Sequence, residues 1–329
     1  MVRVAINGFG RIGRQVFQAG MNDPDIEWVA VNDITDTKTL AYLLKYDSVY
    51  GVASADIKHT DNSLIVNGRE IKVLSEKEPS KLPWKDLKID VVAECSGLFT
   101  DRLGAQKHLQ AGARKVLISA PAKDSDITLV KGVNEHSYDK NKHSIISNAS
   151  CTTNCLATIV KVLNDNFGVK RGFMTTAHAY TADQRLVDSP HKDLRRGRSA
   201  AVSIVPTTTG AAKTVAEVIP ELKGKLNGFA WRVPVPCGSI VNFVCETKKS
   251  ATIQEINTLF KNVSQYHLKG ILFYTDEPLV SKDILHTPYS AVFDSNYTDV
   301  IDGNLVSVVG WYDNEWGFSC RMVDVLKIL

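Results

Sequence analysis

The residues G-F-G-R-I-G, from Gly8 to Gly13, constrain this chain more than any other short stretch because of what stands on either side. Val2 to Ile6 (VRVAI) is a β-rich run ending at Asn7, and Arg14 to Ala19 continues as a helical pattern. A G-x-G-x-x-G turn between a strand and a helix has a specific physical use. Gly8 permits the tight turn, Gly10 lets backbone approach a pyrophosphate, and Gly13 lets the helix pack on the strand. The free N–H groups of the first helical turn then face the anion. A second strand, Trp28 to Val31, ends at Asn32 and Asp33, and Asp33 stands twenty residues beyond Gly13. An acid there accepts hydrogen bonds from an adenosine ribose and repels a 2′-phosphate, which favours NAD over NADP. A purely structural glycine turn stays the alternative, since such turns occur between any strand and helix.

Further strand signals follow at Ile89 to Glu94, Lys115 to Ser119 and Ser144 to Ser147, with helical stretches such as Asp101 to Ala111 between them. The alternation predicts an α/β fold with a doubly wound parallel sheet of the Rossmann type. Ligands of such sheets lie beyond the carboxyl ends of the strands, where Cys95, Ser96, Gly97, Ser119 and Ala120 fall. Ser96 and Gly97 read equally well as plain turn residues. At 329 residues the chain exceeds a single hydrophobic core, so two domains are expected.

Hydrophobic content of 44%, charged content of 23% and a net charge of +3 describe an ordinary globular protein with no demand for a polyanionic partner. No run approaches the roughly 18 apolar residues of a membrane helix. The first residues enter strand-like sequence with no export signal, and six cysteines are too sparse for a disulfide scaffold. These features predict a reducing cytoplasm.

The stretch SNASCTTNCL, residues 147 to 156, follows the strand signal at Ser144 to Ser147 and opens a helical pattern with apolar Leu156, Ile159, Val160 and Leu163. Cys151 is thereby expected at a helix N-terminus, which favours a thiolate, with Cys155 one turn further in. The pair is not half of a zinc site, because no second Cys/His pair with ligand spacing stands nearby, and no metal is expected. Cys155 reads as a packing residue. For Cys151, packing competes with a nucleophile's role until a base is found. His178, ending the strand-like run Arg171 to Ala177, is the candidate, since a Cys/His pair supplies nucleophile and proton shuttle. His136, His143 and His267 occur in polar contexts and are expected to face solvent.

Thr181 to Ser203 has no periodicity and carries Arg185, His191, Lys192, Arg195, Arg196 and Arg198. A loop this long inside a compact domain is functional or disordered. It reads as a wall that holds phosphate and a partner subunit, as a solvated surface, or as a nucleic-acid contact, the last disfavoured by the near-neutral chain. Thr207 to Gly210 precede another helix and form a further anion site, and Arg232 offers a guanidinium fork suited to phosphate. The remainder reads as sheet on helix. Ser239 to Thr247 buries Val241, Phe243 and Cys245. A helix capped by Thr252 and Glu255 turns Ile253, Ile256, Phe260 and Val263 inward, and a last helix spans Phe318 to Ile328.

NGFGRIGR (7–14), SNASCTTNC (147–155), HAYTADQ (178–184), PTTTGAAK (206–213), RVPVP (232–236) and WYDNEWG (311–317) together resemble the phosphorylating glyceraldehyde-3-phosphate dehydrogenase family, in order and over essentially the whole chain. The resemblance implies an NAD-binding domain over 1–150 and a catalytic and oligomerisation domain over 151–315 with a largely antiparallel sheet. Helix 316–329 would pack back on the first. It implies Cys151 as nucleophile and His178 as base. The cofactor would be held by Asn7, Gly8, Phe9, Gly10, Arg11, Ile12, Gly13, Asp33, Ser96 and Ser119, with Asn314 orienting the nicotinamide amide. One anion site would take the substrate phosphate (Thr181, Arg232) and another the attacking inorganic phosphate (Ser150, Thr209, Gly210), with Thr152 and Arg196 close to them. Also implied are a homotetramer, a cytoplasmic place in glycolysis or gluconeogenesis, and no dedicated membrane or nucleic-acid partner. Ser189-Pro190 replaces the leucine-proline common in NAD-using members. Asp33 and Pro190 favour NAD, and Ser189 leaves NADP use open. A sister activity on erythrose 4-phosphate would share nearly all these motifs, and a non-catalytic nucleotide- or RNA-binding protein could use the same glycine turn.

Overall fold

The computed structural model describes all 329 residues. They form two compact units, the first made of Met1–Leu129, His136–Ala149 and Ser319–Leu329, the second of Val130–Glu135 and Ser150–Phe318.

In the first unit, β1 (Val2–Asn7), α1 (Arg11–Gly20), β2 (Ile26–Asn32) and α2 (Thr37–Lys45) are followed by a short ribbon of β3 (Tyr46–Asp47) and β4 (Gly51–Val52). Next come β5 (Ile57–His59), β6 (Ser63–Val66), β7 (Arg69–Leu74), β8 (Val91–Glu94), α3 (Arg102–Gln110), β9 (Lys115–Ile118), β10 (Ile127–Thr128) and β11 (Ile145–Ser147). The main sheet has the order β10-β11-β9-β8-β1-β2-β7-β6-β5. It is parallel from β10 to β7, and only the β7/β6 and β6/β5 pairs at one edge are antiparallel. The doubly wound expectation therefore holds here. Strand order reverses between β1 and β8, so the turns after these two strands stand side by side at the point where such sheets bind ligands. α1 begins at Arg11, three residues before the periodicity suggested, because the glycine turn itself supplies its first turn. Trp84, Ile89 and Ala113 pack against Ala5, Ala30 and Val92 on one face of the sheet, and α3 covers Val116, Ile118 and Ile145. Within this unit, residues from the C-terminal segment meet α1. A Cβ on Gly20 would come within 3.2 Å of Val323, and Lys327 pairs with Asp23 at 2.9 Å.

The second unit begins with α4 (Cys151–Phe167) and β12 (Val169–Ala179), then β13 (Val205–Thr208), α5 (Ala211–Val218), β14 (Leu226–Val233) and β15 (Ser239–Thr247). It continues with α6 (Ile253–Gln265), β16 (Leu272–Thr275), β17 (Ala291–Ile301), β18 (Leu305–Tyr312) and the start of α7 (Trp316–Leu326). Its sheet, β13-β14-β12-β15-β18-β17-β16, is mostly antiparallel, with parallel pairs at β12/β14 and β16/β17. α4 lies so close on this sheet that a Cβ at Gly310 would stand 2.4 Å from Ile159. β15 alternates buried and half-buried residues over its full length, as its sequence predicts. The capping box of Thr252 and Glu255 forms. Ile256 and Phe260 face inward, but Ile253 is 43% exposed and Val263 half-buried, because only one narrow stripe of α6 meets the sheet. His143 is also not a free surface residue, since its Nδ1 accepts the Asp139 N–H at 3.0 Å.

Candidate active site

In the first unit the glycine turn divides its three glycines by cause. Gly8 has φ +89°, and a Cβ there would lie 2.5 Å from the Ser96 Cα; one on Gly13 would lie 2.2 Å from the Gly8 carbonyl. Both glycines are required by the protein itself. Gly10 is different. Its φ is −70°, and a Cβ there would meet nothing within 4 Å. Nothing in the fold demands glycine at Gly10, whereas a pyrophosphate drawn to the helix start does, because only bare backbone allows its close approach. α1 has no side-chain cap, so its first N–H groups remain for such an anion. These residues fit a dinucleotide.

Around the turn, Phe9 is buried edge-on against Phe17, and its N–H donates to Asp33 Oδ2 at 2.7 Å. Asp33 also accepts from the Thr35 N–H at 3.0 Å, so its carboxylate is oriented by backbone at the end of β2. The Arg11 side chain pairs with Asp47 at 2.7 Å, and Ile12 is half-buried. Ser96 donates both its N–H and its hydroxyl to Glu94. Ser119 hydrogen-bonds the Cys95 thiol, which burial and the Glu94 charge push up to about 12, so Cys95 is no nucleophile.

In the second unit, the chain enters α4 through Ala149 in a left-handed conformation (φ +57°), and Ser150 caps the helix by accepting the Thr153 N–H at 3.0 Å. Cys151 is the first helical residue. Its Sγ lies 3.4 Å from Nε2 of His178, near the end of β12. β14 runs parallel to β12 and sets Arg232 directly opposite His178. The Arg232 Nη1 lies 2.7 Å from His178 Nδ1 and donates to the Ala179 carbonyl at 3.0 Å, while Nδ1 itself lies 2.6 Å from that carbonyl. The Arg232 Nε is buried without a partner. One more strand completes the floor. Tyr312, ending β18, shares its hydroxyl with Thr152 and Thr176, each at 2.9 Å, and its ring stands edge-on to His178.

Electrostatics correct one sequence expectation. The helix N-terminus was expected to favour a Cys151 thiolate, yet burial pushes the thiol up, and the Arg232 charge and the Thr152 N–H only partly offset it. Burial, then Arg232, hold His178 at about 3 against the opposing Ala179 carbonyl. Both partners are therefore neutral at physiological pH, a thiol facing an imidazole.

The remaining predicted residues divide by what already engages them. The Thr152 hydroxyl is taken by Tyr312 and the Ser150 hydroxyl by its capping bond. Arg196 pairs with Asp183 and with Asp193 (3.3 Å), and reaches the Thr208 carbonyl at 3.4 Å. Thr209 accepts the Ala211 N–H at 3.2 Å beside exposed Gly210 at the start of α5, and half-buried Thr181 accepts from the Gln184 N–H. None of Ser150, Thr181, Thr209 or Gly210 bonds to the Cys151–His178 pair. The Asn314 Oδ1 accepts from the Gly238 N–H (3.1 Å) and the Ser239 hydroxyl (2.8 Å), which leaves its Nδ2 to donate. Cys155 is fully buried against Gly310, and no group of three or more His, Cys, Asp or Glu is placed to hold a metal. Sequence reasoning missed Tyr312 and Asp183. Tyr312 lies in a strand whose alternation turns it inward, and Asp183 is an acid inside an otherwise basic loop.

Comparison with known proteins gives one answer over both units. The profile described as "Glyceraldehyde 3-phosphate dehydrogenase, NAD binding domain" matches residues 2–102, and that described as "Glyceraldehyde 3-phosphate dehydrogenase, C-terminal domain" matches residues 150–314. The chain is 58% identical over 324 residues to the glyceraldehyde-3-phosphate dehydrogenase of Geobacillus stearothermophilus, covering 98% of this chain and 97% of that protein. It is 56% identical over 326 residues to the Streptomyces coelicolor enzyme, covering 98% and 97%. With glyceraldehyde-3-phosphate dehydrogenase 1 of Bacillus cereus it shares 55% identity over 325 residues, covering 99% and 97%. A glycine turn fitted to a dinucleotide in one unit, a cysteine and histidine in bonding distance in the other, and full-length identity at this level assign the chain to the glyceraldehyde-3-phosphate dehydrogenase family, NAD-dependent oxidoreductases acting on glyceraldehyde 3-phosphate.

Proposed function

We propose that the chain converts D-glyceraldehyde 3-phosphate and inorganic phosphate to 1,3-bisphosphoglycerate through a thioester on Cys151. The observation that carries this is the 3.4 Å approach of Cys151 Sγ to His178 Nε2, with Arg232 on the adjoining strand. His178 Nδ1 lies between a carbonyl that can only accept and a guanidinium that can only donate. When Arg232 turns to the substrate's phosphate, Nδ1–H donates to Ala179, and the Nε2 lone pair is left to take protons. Cys151 then adds as thiolate to the aldehyde carbon, its proton passing through His178 to the carbonyl oxygen, which becomes the hemithioacetal hydroxyl. His178 removes the hydroxyl proton of the hemithioacetal as the carbon is oxidised to a thioester. NAD would be held by the glycine turn with Asp33, Ser96 and Ser119 and would supply the hydride acceptor, and Asn314 Nδ2 would be the donor to its nicotinamide amide. Inorganic phosphate attacks the thioester carbon and expels the Cys151 thiolate, so the oxidation energy is retained in an acyl phosphate.

Thr181 and Arg232 take the substrate phosphate, and Ser150, Thr209 and Gly210 the attacking one, with Thr152 and Arg196 beside them. Arg196 is available because its two carboxylate partners are partly exposed and can exchange with an anion. A homotetramer is supported by the loop from Thr181 to Ser203, where Leu186, Val187, Leu194 and Val202 are 69–84% exposed and call for a partner surface. No helix is long and apolar enough to cross a membrane, and the activity fits a cytoplasmic place in glycolysis or gluconeogenesis.

The test is NADH formation from glyceraldehyde 3-phosphate and NAD, with and without inorganic phosphate, for wild type and Cys151→Ala. Sustained turnover that needs both phosphate and Cys151 is expected, with the variant reduced about 10⁴-fold or more. Turnover indifferent to phosphate would mean a hydrolytic aldehyde dehydrogenase instead. Comparing kcat/KM with erythrose 4-phosphate, and NAD with NADP, fixes the sugar and the consequence of Ser189.

A further inference from the structure

Glu94 ends β8 with its side chain out of water, beneath the turns described above. A buried carboxylate is costly unless its oxygens are supplied with donors. Glu94 has four. Oε2 accepts from Asn7 Nδ2 at 2.6 Å and faces His108 Nε2 at 2.9 Å, and Oε1 accepts from the Ser96 N–H at 2.8 Å and from the Ser96 hydroxyl. Asn7 immediately precedes Gly8, and Ser96 is the residue whose backbone a Cβ at Gly8 would strike. One carboxylate thus ties together the turns that follow β1 and β8.

His108, at the end of α3, is fully buried, and its Nδ1 lies 3.0 Å from the indole Nε1 of Trp84. An indole N–H can only donate, so Nδ1 is the acceptor and the ring proton sits on Nε2, aimed at Glu94. Trp84 selects the tautomer that lets His108 serve as a donor. Asn7 is fixed on its other side as well, because its Oδ1 accepts from Asn32 Nδ2 at 2.7 Å.

We propose that Glu94 is a positioning residue for the cofactor, with His108 and Trp84 as its orienting pair, and that this set determines NAD affinity by holding the Gly8 and Ser96 turns at their working spacing. The inference rests on the reading that the Gly8–Gly13 turn binds NAD. Glu94→Gln keeps the shape but places an amide N–H₂ among groups that donate. It is expected to weaken NAD binding about tenfold, the size of one charge-assisted hydrogen bond. KM for NAD should rise by the same factor, with kcat at saturating NAD and KM for the aldehyde within twofold of wild type.

Adding Trp84→Phe to Glu94→Gln frees His108 to move its proton to Nδ1 and accept from the new amide. The double variant should therefore bind NAD tighter than Glu94→Gln alone, whereas two merely structural losses would add. An NAD Kd for Glu94→Gln within twofold of wild type, a fall in kcat with KM unchanged, or a double variant no better than the single would each overturn the proposal. Should Glu94→Gln fail to fold, the ¹⁵N spectrum of wild-type His108 decides, since a ring protonated on Nδ1 is incompatible with it. A wild type that does not bind NAD would overturn this inference and the cofactor reading together, and a wild type that binds while the variants match it sinks this inference alone.

Discussion

Each unit buries one histidine with a partner on both ring nitrogens, His108 at 0% and His178 at 5% exposure, yet the partners differ in kind. His108 lies between an indole that can only donate and a carboxylate that can only accept, so its proton has one place to be. His178 lies between a thiol and a nitrogen contact shared by a carbonyl and a guanidinium, and on the proposed reading the guanidinium turns to the substrate's phosphate. Burial and hydrogen bonding are common to both. On the proposed reading, what would separate a proton shuttle from a strut is whether one of the partners can leave.

The comparison is broken most severely at His178 itself. His178→Asn should lower kcat about 10² to 10⁴-fold, the range of a general base, with NAD affinity unchanged. The same substitution alters the stability profile. The unfolded chain protonates this histidine near its ordinary 6.5, while the folded chain resists until about 3. Between those values the unfolded state binds more protons, so stability falls as pH falls from about 6.5 toward 3. Urea titrations across that window should show a shallower acid loss in His178→Asn than in wild type.

A smaller effect is expected from Arg232→Gln. Loss of a charged hydrogen-bond donor of about 2 kcal/mol should raise KM for the aldehyde phosphate about 30-fold. Arg232 is also the second cause, after burial, that holds His178 down, so its removal should raise the histidine's pKa. A base works only when neutral, so the acid limb of kcat/KM should move to higher pH in Arg232→Gln, and a limb that stays put would show that Arg232 does not govern His178. The smallest effect belongs to Tyr312→Phe, which deletes one hydroxyl shared by Thr152 and Thr176. Thermal unfolding should reveal a loss of about 1 kcal/mol and kinetics a kcat within a few-fold of wild type.

Legibility in the sequence follows how local each feature is. The glycine turn, the capping box at Thr252 and the alternation of β15 depend on residues within a few positions of one another, and all three form as read. Cys151 at a helix start and His178 at a strand end were legible for the same reason. Their meeting was not, since it requires α4 to lie across the sheet, and neither was Arg232, 54 residues from His178 and beside it only through the β12/β14 register. The elevated Cys151 thiol was hidden for a further reason. A helix N-terminus can be read from the chain, but the burial that outweighs it comes from the whole unit. His108 escaped notice because its partners lie 14 and 24 residues away on other elements, with no spacing to announce them.

The parallel register of β12 and β14 also has a consequence in time. A parallel pair cannot close through a hairpin, and here the crossover passes through the long loop, β13 and α5 before Arg232 arrives opposite His178. Closing so long a segment is a late event in folding. Tyr312 comes later still, 160 residues after Thr152. While the chain is being synthesised, Cys151 emerges well before its guanidinium neighbour and its tyrosine floor, and until they fold around it it is an ordinary thiol. The surroundings of Cys151 are thereby completed last in a protein that carries it near its middle.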